Sequence, residues 1–253
     1  MKIINYLTRG VLPLTIVSGV MISSSAQASL VFLGLLSGNG GGIGTSNVIL
    51  TVQQNNTESG CVSWNGTTNV LGSAACPTAS VPGGTPISPA ITGGNEGTSP
   101  NQTQTQTVTT TGVTSGSSLT VILNINEPSG NSITLNNVSL TIYSPTGTVL
   151  FNSGNLSGAP ITIADTLQGQ GNLGFGFRLD PSQALAANPF IACPSCGGNR
   201  IGIAALLSDS AGSHETFSVF DLTPEPYTWL TLAGGLIAIG LFRRFKRTNP
   251  AIE

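Results

Sequence analysis

Between Ser29 and Thr223 the sequence has no lysine, and its only cations there are Arg178 and Arg200. The same span carries eight carboxylates (Glu58, Glu96, Glu127, Asp165, Asp180, Asp209, Glu215 and Asp221), for a net charge of −6. A surface without a basic patch has nothing with which to release phosphate counterions, so nucleic acid is excluded as a partner. Histidine occurs once, at His214, and aromatic residues make up only 6% of the chain. Charged residues are only 7%, so Ser, Thr, Asn, Gln and Gly supply the polarity, as is common in exported β-proteins. No internal repeat with a solenoid period is present.

These scarcities narrow the available chemistry. His214 lies in Gly212-Ser213-His214-Glu215-Thr216, just ahead of a strand pattern. As a general base it would need Asp209 or Glu215 beside it and a serine nucleophile. No Gly-x-Ser-x-Gly elbow accompanies it, so a polar turn residue is the simpler reading. Asp165, Asp180 and Asp209 offer the hard oxygens that calcium takes, but no Asp-x-Asp-x-Asp-Gly loop holds them. The remaining carboxylates are scattered singly. The expectation is a protein that is not an enzyme, with no catalytic residue, metal or cofactor.

What the sequence does have is a period of two. Leu119, Val121, Leu123 and Ile125 share one face of a strand, and Val138, Leu140 and Ile142 alternate with Ser139, Thr141 and Tyr143. Ser144-Pro145-Thr146-Gly147 is a turn with proline second, returning into Thr148–Phe151 as a hairpin. Further strands are expected over 48–53, 106–113, 173–179, 200–207 and 216–221. Phe175 and Phe177 would form a core face, with Gly174 and Gly176 leaving the other face bare for a partner. Asp180-Pro181-Ser182-Gln183 opens a short surface helix that Pro189 ends. Residues 73–100 are rich in Pro, Gly, Ser and Thr, giving a flexible loop over 73–104, although the Thr/Gln alternation of 102–107 suits an exposed edge strand. About 195 residues suffice for one domain over 29–223. The expected fold is mainly β: an antiparallel β-sandwich, jelly-roll or immunoglobulin-like, with one short surface helix.

Four cysteines lie in this region, Cys61, Cys76, Cys193 and Cys196. An even number fits disulfides in an oxidising compartment, with three possible connectivities. A Cys61–Cys76 bond would close a 16-residue loop and stabilise by about 3 kcal/mol in the chain-entropy model. Cys193-Pro194-Ser195-Cys196 has the spacing of a redox pair. It is followed by Gly197-Gly198-Asn199, a turn, where a thioredoxin-like thiolate needs a helix N-terminus. A structural disulfide, local or cross-paired, is the preferred reading. The Cys61–Cys76 spacing does not suit a zinc site.

The two ends carry the most specific patterns. Lys2 and Arg9 precede an apolar stretch over 10–22, and Ala26-Gln27-Ala28 is an A-x-A cleavage pattern, so residues 1–28 read as a signal peptide with Ser29 first in the mature chain. At the other end, Pro224-Glu225-Pro226 precedes an apolar stretch over 227–242 and the basic cluster Arg243, Arg244, Lys246 and Arg247. Sixteen residues make about 24 Å of helix, a short span for a hydrocarbon core of roughly 30 Å. Basic residues stay on the cytoplasmic side, which places the body outside.

In this order, at the C-terminus, these features resemble the PEP-CTERM sorting signal of Gram-negative bacteria. Six residues, 248–253, follow the basic cluster, somewhat more than such tails carry. The resemblance covers 224–247 and implies a sorting motif at Pro224, Glu225, Pro226, Arg243, Arg244, Lys246 and Arg247. It also implies processing by an exosortase, a membrane-embedded cysteine protease or transpeptidase, and an envelope that produces exopolysaccharide. More loosely, Asn131–Asn136 leading into 140–147 is similar to exported proteins carrying that signal, and it contributes no functional residue. The expected role is a structural or interaction protein of the envelope or extracellular matrix, anchored in the inner membrane until processed. A carbohydrate-binding module and a secreted hydrolase are the second and third readings.

Overall fold

The computed structural model describes residues 29–36, 47–78, 86–98, 102–126, 131–164 and 174–222. The signal peptide expected over 1–28 and the sorting signal expected over 224–247 lie outside these residues. Among the described residues no helix is long and apolar enough to cross a membrane.

The described chain is mainly β. In order it forms β1 (Ser29–Leu36), β2 (Val48–Val52), β3 (Asn55–Trp64), β4 (Asn69–Leu71), β5 (Gln106–Thr107), the helical turn α1 (Val108–Thr111) and β6 (Leu119–Asn124). There follow β7 (Ser132–Tyr143), β8 (Val149–Asn152), β9 (Asn155–Leu156), β10 (Ile161–Ala164), β11 (Gly174–Leu179), the helix α2 (Pro181–Ala187), β12 (Arg200–Ala211) and β13 (Glu215–Asp221). One sheet runs β2-β13-β6-β11-β1-β9. The other runs β10-β7-β12-β3-β4, with β5 on the end of β12 and β8 beside β7. All pairings are antiparallel except the short one between β1 and β9.

Both sheets feed one apolar cluster. Leu50, Val121, Leu123, Phe177 and Phe217 come from the first; Leu140, Ile142, Ile201, Ile203 and Leu207 come from the second. The alternation in β6 and β7 therefore marks the face turned to this shared core, as period two requires. In β7 the apolar set is Ile133 and Leu135, then Val138, Leu140 and Ile142, so its phase slips by one position. The strand carries a bulge there: Leu207 faces Leu135 and Leu206 faces Asn137, which leaves Asn136 as the extra residue. A bulge restores the inward face after the slip, and this carries the strand back to Ser132, beyond the expected start.

The expected hairpin is present. Gly147 N donates to Ser144 O at 3.0 Å, and β8 returns against β7. Asp180 caps α2, accepting from Ser182 N at 2.8 Å and Gln183 N at 3.0 Å. The strand expected over 106–113 is corrected: only Gln106 and Thr107 are extended, and α1 follows. Thr107 Oγ1 accepts from Thr110 N at 3.1 Å, a side-chain cap that diverts the chain into a helical turn, and Gly112 closes it in a left-handed conformation. The Thr/Gln run is also not an exposed strand. Thr105 is buried, and Thr103 Oγ1 accepts from Thr51 N at 3.2 Å. The bare face expected at Gly174 and Gly176 is corrected too. Both glycines are buried, and a side chain at Gly176 would collide with Leu36 of the neighbouring strand β1.

Residues 86–98 lie along two sheet edges. Asn95 Oδ1 accepts from Ser59 N at 2.9 Å on β3, while Gln53 N donates to Asn95 O and Gly97 N to Thr51 O at the end of β2. Glu96 Oε1 accepts from Cys61 N at 2.6 Å. Backbone groups that edge strands leave over are satisfied here by this strap. Ile87 and Ile91 from the same segment, with Ala75, cover Cys61 and Ala204 on the outer face of the second sheet.

Candidate functional site

The outer face of β7 reads Asn137, Ser139, Thr141 and Tyr143, and all four are buried. Buried polar groups must be paired, and here each of the four is. Asn137 Nδ2 donates to Pro89 O at 3.0 Å and to Asn155 Oδ1 at 3.1 Å. Ser139 Oγ donates to Asn152 Oδ1 at 3.1 Å, and Asn152 Nδ2 to Thr141 Oγ1 at 2.7 Å. Burial pushes the pKa of the Tyr143 phenol up to about 12, against the opposing pull of hydrogen bonds with Thr141 and Ser63. At neutral pH the phenol is therefore a protonated donor.

This network ends in a cleft of about 420 Å³. Its floor is Thr141, Tyr143 and Asn152. One wall is Ser63, Trp64 and Asn65 at the end of β3; another is Ala74 to Thr78, held by a disulfide; Val149 of β8 faces them. Among the described residues no Asp, Glu, Lys, Arg or His lines it.

The walls are fixed by covalent and close-packed contacts. Cys61 and Cys76 are joined, with their Cα atoms 5.1 Å apart. The tips of the β3–β4 and β7–β8 hairpins interlock at Gly66 and Gly147, whose positive φ angles and lack of a side chain let backbone meet backbone. Trp64 Nε1 spans the two tips, donating to Pro145 O at 2.9 Å. The Arg200 guanidinium lies 4.1 Å from the centre of the Trp64 ring. It is itself tied down: Nε donates to Thr105 Oγ1 at 2.7 Å and Nη2 to Thr105 O at 2.6 Å. Arg200 thus supports a wall and is not among the residues that line the cleft.

The structure places the other residues singled out in the sequence as follows. Cys193 and Cys196 are joined to each other, Cα atoms 5.2 Å apart, in a turn with no strand-to-helix step. No cysteine is free. Ser29 opens β1, and its backbone nitrogen lies 3.3 Å from Asp180 Oδ2. His214 is exposed in the turn before β13, and Asp209 is exposed at a bulge in β12 with φ of 65°. Asp165 is outside the described residues. Asp180 is committed to its cap and to Ser29. Among the described residues no three His, Cys, Asp or Glu side chains gather as a metal would need.

No protein-family model, curated protein or solved structure matches this chain.

Of the cleft residues, the sequence singles out Trp64 and Tyr143 as scarce rings on which a sugar could stack, and the structure buries Tyr143 in the floor. Ser63, Thr141 and Asn152 carry no motif. The available signal was the polar half of the β7 alternation, which resembles a solvent-facing strand and is in fact buried.

Proposed function

We propose that this is an exported envelope or extracellular-matrix protein with a structural or interaction role, sorted and processed through its C-terminal signal. The carrying observation is the order Pro224-Glu225-Pro226, apolar stretch, then Arg243, Arg244, Lys246 and Arg247. That pattern fixes orientation through the positive-inside rule, and its short span suits a handle that an exosortase-type enzyme removes. The N-terminal Ala26-Gln27-Ala28 pattern supports the same route. So do two paired disulfides, which persist in oxidising compartments. Cleavage after Ala28 would free an ammonium at Ser29, beside the Asp180 carboxylate that its nitrogen already faces.

In this reading the body over 29–223 is an antiparallel β-sandwich, which two sheets around one core support. It has no enzymatic activity. It resides first at the inner membrane and then in the envelope or outside the cell. The test is intact-mass analysis of the protein recovered from its native envelope. Loss of about thirty residues at each end is the expected result. A full-length C-terminus retained in the membrane would replace sorting with a plain anchor.

A further inference from the structure

We infer that the cleft between Trp64, Tyr143 and Asn152 is a binding site for an uncharged oligosaccharide. This goes beyond the sorting reading and stands independently of it, since it rests on the cleft alone.

Charge decides the ligand class first. Among the described residues the lining holds no ionised side chain, and the body around it is negative overall. An anionic ligand would meet no cation in the lining: Arg200 keeps its charge but stands outside it, held by Thr105 against the Trp64 ring. A cationic ligand would meet no carboxylate. An uncharged ligand remains.

Polarity decides next. The cleft combines hydroxyls (Ser63, Thr78, Thr141, Tyr143) and amides (Asn65, Asn152) with the Trp64 ring and the apolar Val70, Pro77 and Val149. Hydroxyl and amide groups both donate and accept, which matches sugar hydroxyls, while an indole suits the apolar face of a pyranose. A neutral peptide would be read mainly through its backbone at a strand edge. The floor of the cleft is instead a sheet face, where β7 is paired with β12 on one side and β8 on the other; the outermost strands β4 and β8 only border it, so a neutral peptide is the competing occupant.

Rigidity supplies the third argument. Floor groups are fixed by Ser139, Asn152 and Thr141, and the walls by the Cys61–Cys76 bond and the interlocked hairpin tips. Preorganised polar groups lose little entropy when a ligand arrives, which a weakly binding sugar needs. The volume is within the range of small-ligand sites.

The test is calorimetric titration of the full chain in a zwitterionic, sugar-free detergent with neutral gluco-, galacto- and manno-hexasaccharides, and with an oligogalacturonate as the acidic probe. At least one neutral probe should bind with a Kd below about 1 mM. Its affinity should be unchanged between about 0.05 and 0.5 M sodium chloride, because no charge pair is made. Trp64→Ala should weaken binding at least about tenfold. Ala74→Arg, at an exposed rim position, should do the same by filling the cleft while keeping the wild-type melting temperature. Leu185→Ala, on the exposed face of α2, should bind as wild type. The idea is overturned by any of three results: no neutral probe bound at about 10 mM, binding left intact by Ala74→Arg, or binding confined to the acidic probe and lost with salt.

Discussion

Between Asn137 and Tyr143 both faces of β7 in the second sheet are buried, yet they are built from different chemistry. Inward, Leu140, Ile142, Ile203 and Leu207 join a core shared with the opposite sheet. Outward, β7 presents Ser139, Thr141 and Tyr143, while β3 and β12 present Cys61 and Ala204 under the strap of Ile87 and Ile91. The inner face is held by area removed from water, which any well-shaped apolar side chain supplies. The outer β7 face is held by named partners, and each group lost there strands another. Burial by itself therefore does not identify a core. A buried polar row that borders an open cleft is a different object, because its groups hold one another in place at a surface that a ligand can reach.

The largest effect should come from the inner face. Leu140→Ala should cost about 2–5 kcal/mol, read from denaturant unfolding, since it removes transfer energy and leaves a cavity. Removing the outer brace is next. The double change Cys61→Ala with Cys76→Ala should cost about 3 kcal/mol, whereas opening the shorter Cys193–Cys196 loop should cost about 2 kcal/mol. Equal losses for the two pairs would show that loop closure does not set their contributions.

Asn152→Ala probes the polar row directly. It should cost about 1–3 kcal/mol by removing the acceptor of Ser139 Oγ and Gly154 N and the donor to Thr141, and Asn152→Leu should not recover it. Recovery by leucine would mean that the outer face is an ordinary core after all.

The smallest effect lies on neither face. Burial raises the Asp180 pKa, but hydrogen bonds from the Ser182 hydroxyl and from the backbone nitrogens of Gln183, Ser182 and Ser29 outweigh it and hold the carboxyl below its usual value. A depressed folded pKa contributes stability above the ordinary aspartate range, near pH 4, and that contribution is lost as pH falls through the folded value. Asp180→Ala should cost about 1 kcal/mol at neutral pH, while Asp180→Asn should keep most of the cap and flatten the acid limb of the stability curve.

Legibility in the sequence followed the same division. The period-two runs of β6, β7, β11 and β13 were readable because one face of each meets the shared core. The Pro145–Gly147 turn and the Asp180-Pro181 cap were readable because their chemistry is local. β3 was not, since Asn55-Asn56-Thr57-Glu58-Ser59 has no apolar alternation. It is a strand because β12 pairs it on one side and Asn95 and Glu96 satisfy it on the other. The helical turn at Val108–Thr111 was hidden because a threonine run carries strand propensity, which the Thr107 cap overrides.

What the sequence determined alone is what depends on near neighbours or on composition: the two patterned ends, a lysine-free negative body, and the strands whose side chains alternate. Tertiary structure decided which cysteines joined, which polar residues left water, and that Trp64, Tyr143 and Asn152 share one cleft. A hydrophobic side chain declares its destination, since water rejects it everywhere. A serine or asparagine does not, because its hydrogen bonds are satisfied equally by solvent or by a partner that only the folded chain brings near.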